Sequence, residues 1–154
     1  MNSIELIRGI EKLPEGIEGI VDFALAILDR IAVKNWQMGI VITDDRGISE
    51  YNREWRSIDK ATDVLSFAHN EGVPVPHMHN TQLEAGDIVV SLESVERNAR
   101  NWGNPFDLEF RRVVIHGILH LKGMDHSSDD YEKGMLQLQE ELLSDTEGIL
   151  KGGL

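Results

Sequence analysis

The sequence predicts an α/β (α+β) fold in which one sheet is layered with helices. Two observations carry this. Apolar, β-rich runs recur at "SIELIR", "QMGIVIT", "DVLSFA" and "DIVVSL". Between and after them lie stretches whose apolar residues repeat at helical spacing.

In chain order, "SIELIR" alternates as a half-buried strand does. Residues 16–33 form an amphipathic helix, with Ile17, Ile20, Val21, Ala24, Leu28 and Ile31 on one stripe. "QMGIVIT" reads as a buried strand, and "DDRG" after it as a turn. "SEYNREWR" suggests a short helix with Ser49 as its N-cap. The strands "DVLSFA" and "DIVVSL" are separated by a loop holding Pro74, Pro76, His77 and His79. Residues 92–102 are helical and stop at Gly103. Pro105 opens the next helix, which runs from about Phe106 to Lys122 and ends at Gly123. A last helix, capped at Ser127 or Ser128, buries Met135, Leu138 and Leu142.

A chain of 154 residues fits one domain with a sizeable core, and no repeat or linker divides it. The most apolar early run, "VDFALAILDRIAV", is broken by Asp22, Asp29 and Arg30, so no membrane span is expected. No basic start precedes a cleavable signal, and a cytoplasmic location is the default. The absence of cysteine excludes disulfides and thiolate metal ligands. The net charge of −12 argues against non-specific binding to polyanions. The charge is uneven, however. Residues 127–154 carry seven acidic side chains against two basic ones, whereas Arg46, Arg53, Arg56 and Lys60 cluster mid-chain. Arg97, Arg100, Arg111, Arg112 and Lys122 precede or surround a run of histidines. A local basic groove is compatible with the acidic total.

That run is "HGILHLKGMDH". His116 and His120, four apart on a helix, can aim their imidazoles at one point. Gly123 can turn the chain, which lets His126 return as a third ligand. Three neutral imidazoles and one open position suit a catalytic zinc, whose fourth position holds water with a pKa lowered to about 7. Asp125 reads either as an orienter of a ligand or as a helix cap. The H-x-x-x-H-x-x-G-x-x-H spacing matches the metzincin signature, but Gly117 stands where those proteases have their general-base glutamate. Glycine in a helix costs about 1 kcal/mol relative to alanine, so Gly117 implies either close packing or room for substrate.

"HGILHLKGMDH" resembles the H-G-x-L-H-L-x-G-Y-D-H signature of the YbeY family of bacterial endoribonucleases. "NREWRSIDKATDVLSF" is similar to that family's N-x-x-x-R stretch followed by T-D-V-L-S-F-P, and "GDIVVS" to its G-D-I-x-I-S. The three occur in the family's order, and the likeness covers most of residues 40–145. Met124 replaces the usual Tyr and Ala68 the usual Pro; neither change removes a ligand.

The resemblance implies a mixed sheet of about four strands flanked by helices, similar to the zincin metalloproteases. Residues 1–154 would then form a single metal-dependent hydrolase domain. It implies a zinc-dependent, single-strand-specific endoribonuclease acting in 3′-end maturation of small-subunit (16S) ribosomal RNA and in ribosome quality control. It assigns one Zn²⁺ per chain to His116, His120 and His126, and a catalytic role to Arg56. The implied partners are ribosomal RNA, a small-subunit ribosomal protein and an assembly GTPase, with no membrane. The acidic total agrees with RNA binding that is assisted by a protein.

A guanidinium such as that of Arg56 can bind a phosphodiester's non-bridging oxygens bidentately and stabilise the charge that builds there. Without the resemblance, Arg56 reads as a surface arginine paired with an acid such as Asp59. Arg112, one turn before His116, reads better as an ion-pair partner than as a phosphate contact. His69, His77 and His79 read as solvated, Asp63 and Asp87 as structural acceptors, and Trp55 and Phe67 as core packing rather than base-stacking groups. Two other functions stay open: a metallohydrolase of a peptide or small ester, and a non-enzymatic ribosome-assembly factor with a structural zinc. The missing glutamate weighs against the first, and a fourth protein ligand would favour the second.

Overall fold

The computed structural model describes residues 1–69, 83–123 and 129–149. Its elements are β1 (Ser3–Arg8), α1 (Gly19–Arg30), β2 (Trp36–Thr43), α2 (Asp45–Arg56), β3 (Val64–Ala68), β4 (Leu83–Ser91), α3 (Leu92–Trp102), α4 (Phe106–Leu121) and α5 (Asp129–Asp145). The strands form one sheet in the order β1-β2-β4-β3. β1 and β4 both pair with β2 in parallel, and β3 runs antiparallel at the edge beside β4.

Parallel neighbours need a crossover, and α1 supplies it between β1 and β2. Covered strands of this kind are apolar on both faces. In β2, Met38, Ile40 and Ile42 join the larger core with α1, α4 and α5, while Val41 joins a smaller one with Ile48 and Tyr51 of α2. β4 divides likewise: Ile88 and Val90 face the larger core, Val89 the smaller. The sheet therefore has α2 on one face and the other large helices on the opposite one.

β4 begins at Leu83, four residues before the expected "DIVVSL", and two helix boundaries also differ from the sequence reading. The helix expected over 16–33 occupies only Gly19–Arg30, because Gly16 on one side and Ala32 and Asn35 on the other take positive φ and turn the chain. "DDRG" is not a turn but the start of α2. Asp44 caps that helix by accepting the Gly47 N–H at 2.8 Å, which leaves Ser49 inside it rather than at its N-cap. Aspartate serves turns and N-caps through the same short carboxylate, so the local signal fits either structure.

α4 begins after Pro105, and Gly123 (φ 104°) lies just beyond its C-terminal turn. Its Phe110, Val114, Ile115, Ile118 and Leu119 are fully buried in the larger core. α5 packs on α4 through Met135, Leu138 and Leu142, the apolar face expected from the sequence, while its expected caps Ser127 and Ser128 lie outside the described residues. Among the described residues no helix is long and apolar enough to cross a membrane.

Candidate active site

The helical rise places His116 and His120 one turn apart on α4, with ring centroids 4.6 Å apart. Their Nε2 atoms are 3.1 Å from one another. Two nitrogens bound tetrahedrally to one zinc at 2.0–2.1 Å stand about 3.3 Å apart, so this pair fits two positions of such an ion. The third expected ligand, His126, and its neighbour Asp125 lie outside the described residues, as do His77 and His79. Among the described residues no three His, Asp or Glu side chains gather into a metal cluster.

The other side of His116 is held by a residue that the sequence reading missed. Gln139, buried on α5, lies with Oε1 2.7 Å from His116 Nδ1. Its Nε2 donates to Glu140, which fixes which end of the amide meets the imidazole. Nδ1 therefore donates, and Nε2 is the nitrogen that looks into the site. Next in sequence, Glu140 receives two hydrogen bonds from Arg112, at 2.9 and 3.0 Å, and Arg112 also pairs with the buried Glu109. Burial works against the Arg112 charge, but Glu140 and Glu109 outweigh it and raise its pKa above the ordinary arginine value. Arg112 is thus an ion-pair residue, as expected, and it fastens α5 to α4 beside Gln139.

Between the two histidines, α4 lies directly against the sheet. A methyl group at Gly117 would sit 3.1 Å from both Ile88 Cγ2 and Val64 Cγ2, so close packing explains this glycine. The Ser66 hydroxyl of β3 donates to the Gly117 carbonyl at 2.8 Å. On the same residue, the Ser66 carbonyl accepts from Arg56 Nη2 at 2.8 Å. The Arg56 guanidinium also lies over the Phe67 ring, 5.4 Å from its centroid. Arg56 comes from the end of α2, on the opposite face of the sheet, and reaches round the β3 edge. The outcome is a cleft of about 150 Å³ lined by Arg56, Val64, Leu65, Ser66, His116 and His120. Asp59 pairs with Arg53 instead of Arg56.

The remaining candidates divide. Asp63 accepts hydrogen bonds from Thr62 and Asn98, which matches a structural acceptor. His69 is not simply solvated: its Nε2 lies 3.3 Å from Asp87 Oδ2. Trp55 does not pack in the core either, being 67% exposed. It sits near the outer end of α2, beyond the apolar face that Ile48 buries. Phe67 is partly buried against Tyr51.

The sequence profile of the family described as Endoribonuclease YbeY matches residues 8–147. The chain belongs to the YbeY family. An Endoribonuclease YbeY of Treponema pallidum is 40% identical over 141 residues, covering 92% of this chain and 88% of the relative. One from Desulforamulus reducens is 42% identical over 107 residues, covering 70% of each. The solution structure of TM1509 from Thermotoga maritima superposes with a TM-score of 0.67 at 30% identity, over 95% of this chain and 90% of that one. The four-stranded mixed sheet flanked by helices is thus the architecture that the YbeY resemblance implied.

Proposed function

We propose that the protein is a zinc-dependent, single-strand-specific endoribonuclease that processes ribosomal RNA. One observation carries the reading. Two imidazoles at zinc-ligand spacing and a guanidinium from the opposite face of the sheet line the same small cleft. Family membership supports the reaction class, since the relatives are named endoribonucleases.

His116 and His120 would hold the metal from α4, with His126 as the third ligand. When bound, the ion supplies Lewis acidity, polarising a phosphoryl oxygen and acidifying a water. The protein's own groups do the rest. Gln139 keeps the His116 proton on Nδ1 and so keeps Nε2 available as a donor atom. Arg56 spends one N–H on the Ser66 carbonyl. The other N–H groups of its planar fork can meet a non-bridging phosphate oxygen and stabilise the charge developing there. The described residues of the cleft include no carboxylate, so the proton acceptor of a peptidase has no counterpart among them.

The substrate is the 3′ region of small-subunit 16S ribosomal RNA, with a further role in ribosome quality control, and the enzyme works in the cytoplasm. A net charge of −12 weakens capture of RNA by the protein alone, and a partner would strengthen it. We propose a small-subunit ribosomal protein and an assembly GTPase for that role. Metal analysis of wild type and His120→Ala, paired with cleavage of single-stranded RNA with and without chelator, tests the proposal. Wild type should carry one zinc per chain and cleave, and His120→Ala should lose both properties. Stoichiometric zinc in His120→Ala would overturn the ligand set, and zinc without cleavage would favour an assembly factor.

A further inference from the structure

Behind Arg56 a second, larger cavity of about 620 Å³ opens on the α2 face of the sheet, and its lining includes Tyr51, Trp55, Phe67, His69 and Asp87. Arg56 and Ser66 line both this cavity and the histidine cleft, so the two adjoin at β3. We propose that this cavity is a nucleobase subsite, which takes an unpaired base next to the phosphate held at Arg56; it rests on the endoribonuclease reading above.

Three features favour a base as the occupant. The volume lies in the range of small-molecule clefts. The lining is aromatic: the Tyr51 and Phe67 rings pack together with centroids 6.1 Å apart, and Trp55 beside them is left largely uncovered. A planar base stacks on such faces whatever its identity, while Arg56 stacked on Phe67 supplies the cation beside them. His69 and Asp87, 3.3 Å apart in the lining, add polar groups suited to base edges. A strand whose phosphate meets Arg56 from the histidine side can thus turn its next base into the aromatic cavity. A duplex cannot, because its bases are paired and stacked inward, so the subsite also selects single strands.

The test is fluorescence anisotropy of a labelled, phosphorothioate-linked single-stranded RNA decamer with the zinc-loaded protein, its Trp55→Ala variant and its Trp55→Phe variant. Stacking of one base predicts affinity weaker by about tenfold in Trp55→Ala, with Trp55→Phe recovering most of it and zinc content unchanged. A decamer of abasic nucleotides should bind both wild type and Trp55→Ala equally. Wild-type affinity in Trp55→Ala, or a difference that persists on the abasic decamer, would overturn the subsite. So would self-association in sedimentation that Trp55→Ala abolishes, since the cavity would then serve a second copy. A protein that cleaves RNA without this Trp55 dependence loses the subsite alone. One that shows the dependence but never cleaves loses the nuclease reading alone.

Discussion

The amide of Gln139 has its two ends fixed by different partners, with Oε1 accepting from His116 Nδ1 and Nε2 donating to Glu140. Groups that orient a metal-binding imidazole contribute about 10- to 100-fold to metal affinity. Gln139→Leu should therefore weaken zinc binding by about that factor while keeping the fold, and Gln139→Glu should restore it by accepting the same proton. Competition with a chromophoric chelator measures this, and unchanged affinity in Gln139→Leu would remove the residue from the site. Nothing near the histidines announces Gln139, which lies 23 residues further along on another helix. His116 and His120 were legible because helical spacing is a local property. Trp55 was misread because its exposure depends on how α2 is placed on the sheet.

At the scale of elements, α4 packs tightly on the sheet at Gly117, and that contact limits what the site can become. Gly117→Glu would restore the carboxylate of the metzincin pattern, but the side chain would start against Val64 and Ile88. Displacing that packing and burying a carboxylate without a partner should cost several kcal/mol, roughly 3 or more. We expect a lowered unfolding midpoint and no cleavage of casein; a stable, active peptidase would contradict this packing account.

A second joint lies between the N-termini of α2 and α3, where Asp45 accepts from Ser91, Ser94 and Arg97. Burial there pushes the Asp45 pKa up, but the hydrogen bonds from Ser94, Ser91 and Arg97 and the Arg97 charge prevail and lower it. A lowered folded pKa stabilises the fold above the unfolded value, near 3.9, and that contribution is lost as pH falls through the folded value. Asp45→Asn should thus be less stable than wild type at neutral pH, with the gap closing below about pH 4. Thermal unfolding across that range checks it, and a gap that stays constant with pH would refute it. The same acidic pair, Asp44 and Asp45, gave the sequence its false turn. A capping carboxylate is recognisable in sequence, but whether a turn or a helix follows depends on the sheet and on α3.

For the whole molecule, the alternation of strands and helices made the layered fold legible, and three motifs carried the family. What neither showed is how the motifs meet. The helices that carry Arg56 and the histidines lie on opposite faces of the sheet, and these side chains share a cleft because β3 is an edge strand that a long side chain can pass. The edge position of β3 follows from long-range pairing with β4, which no local pattern encodes. That convergence is the central claim, and single-turnover cleavage of a single-stranded RNA by zinc-loaded wild type and Arg56→Ala tests it most directly. Arg56→Ala should keep its zinc and its fold yet cleave about 10²- to 10³-fold more slowly, with Arg56→Lys recovering part of the loss. Equal rates for wild type and Arg56→Ala would contradict it.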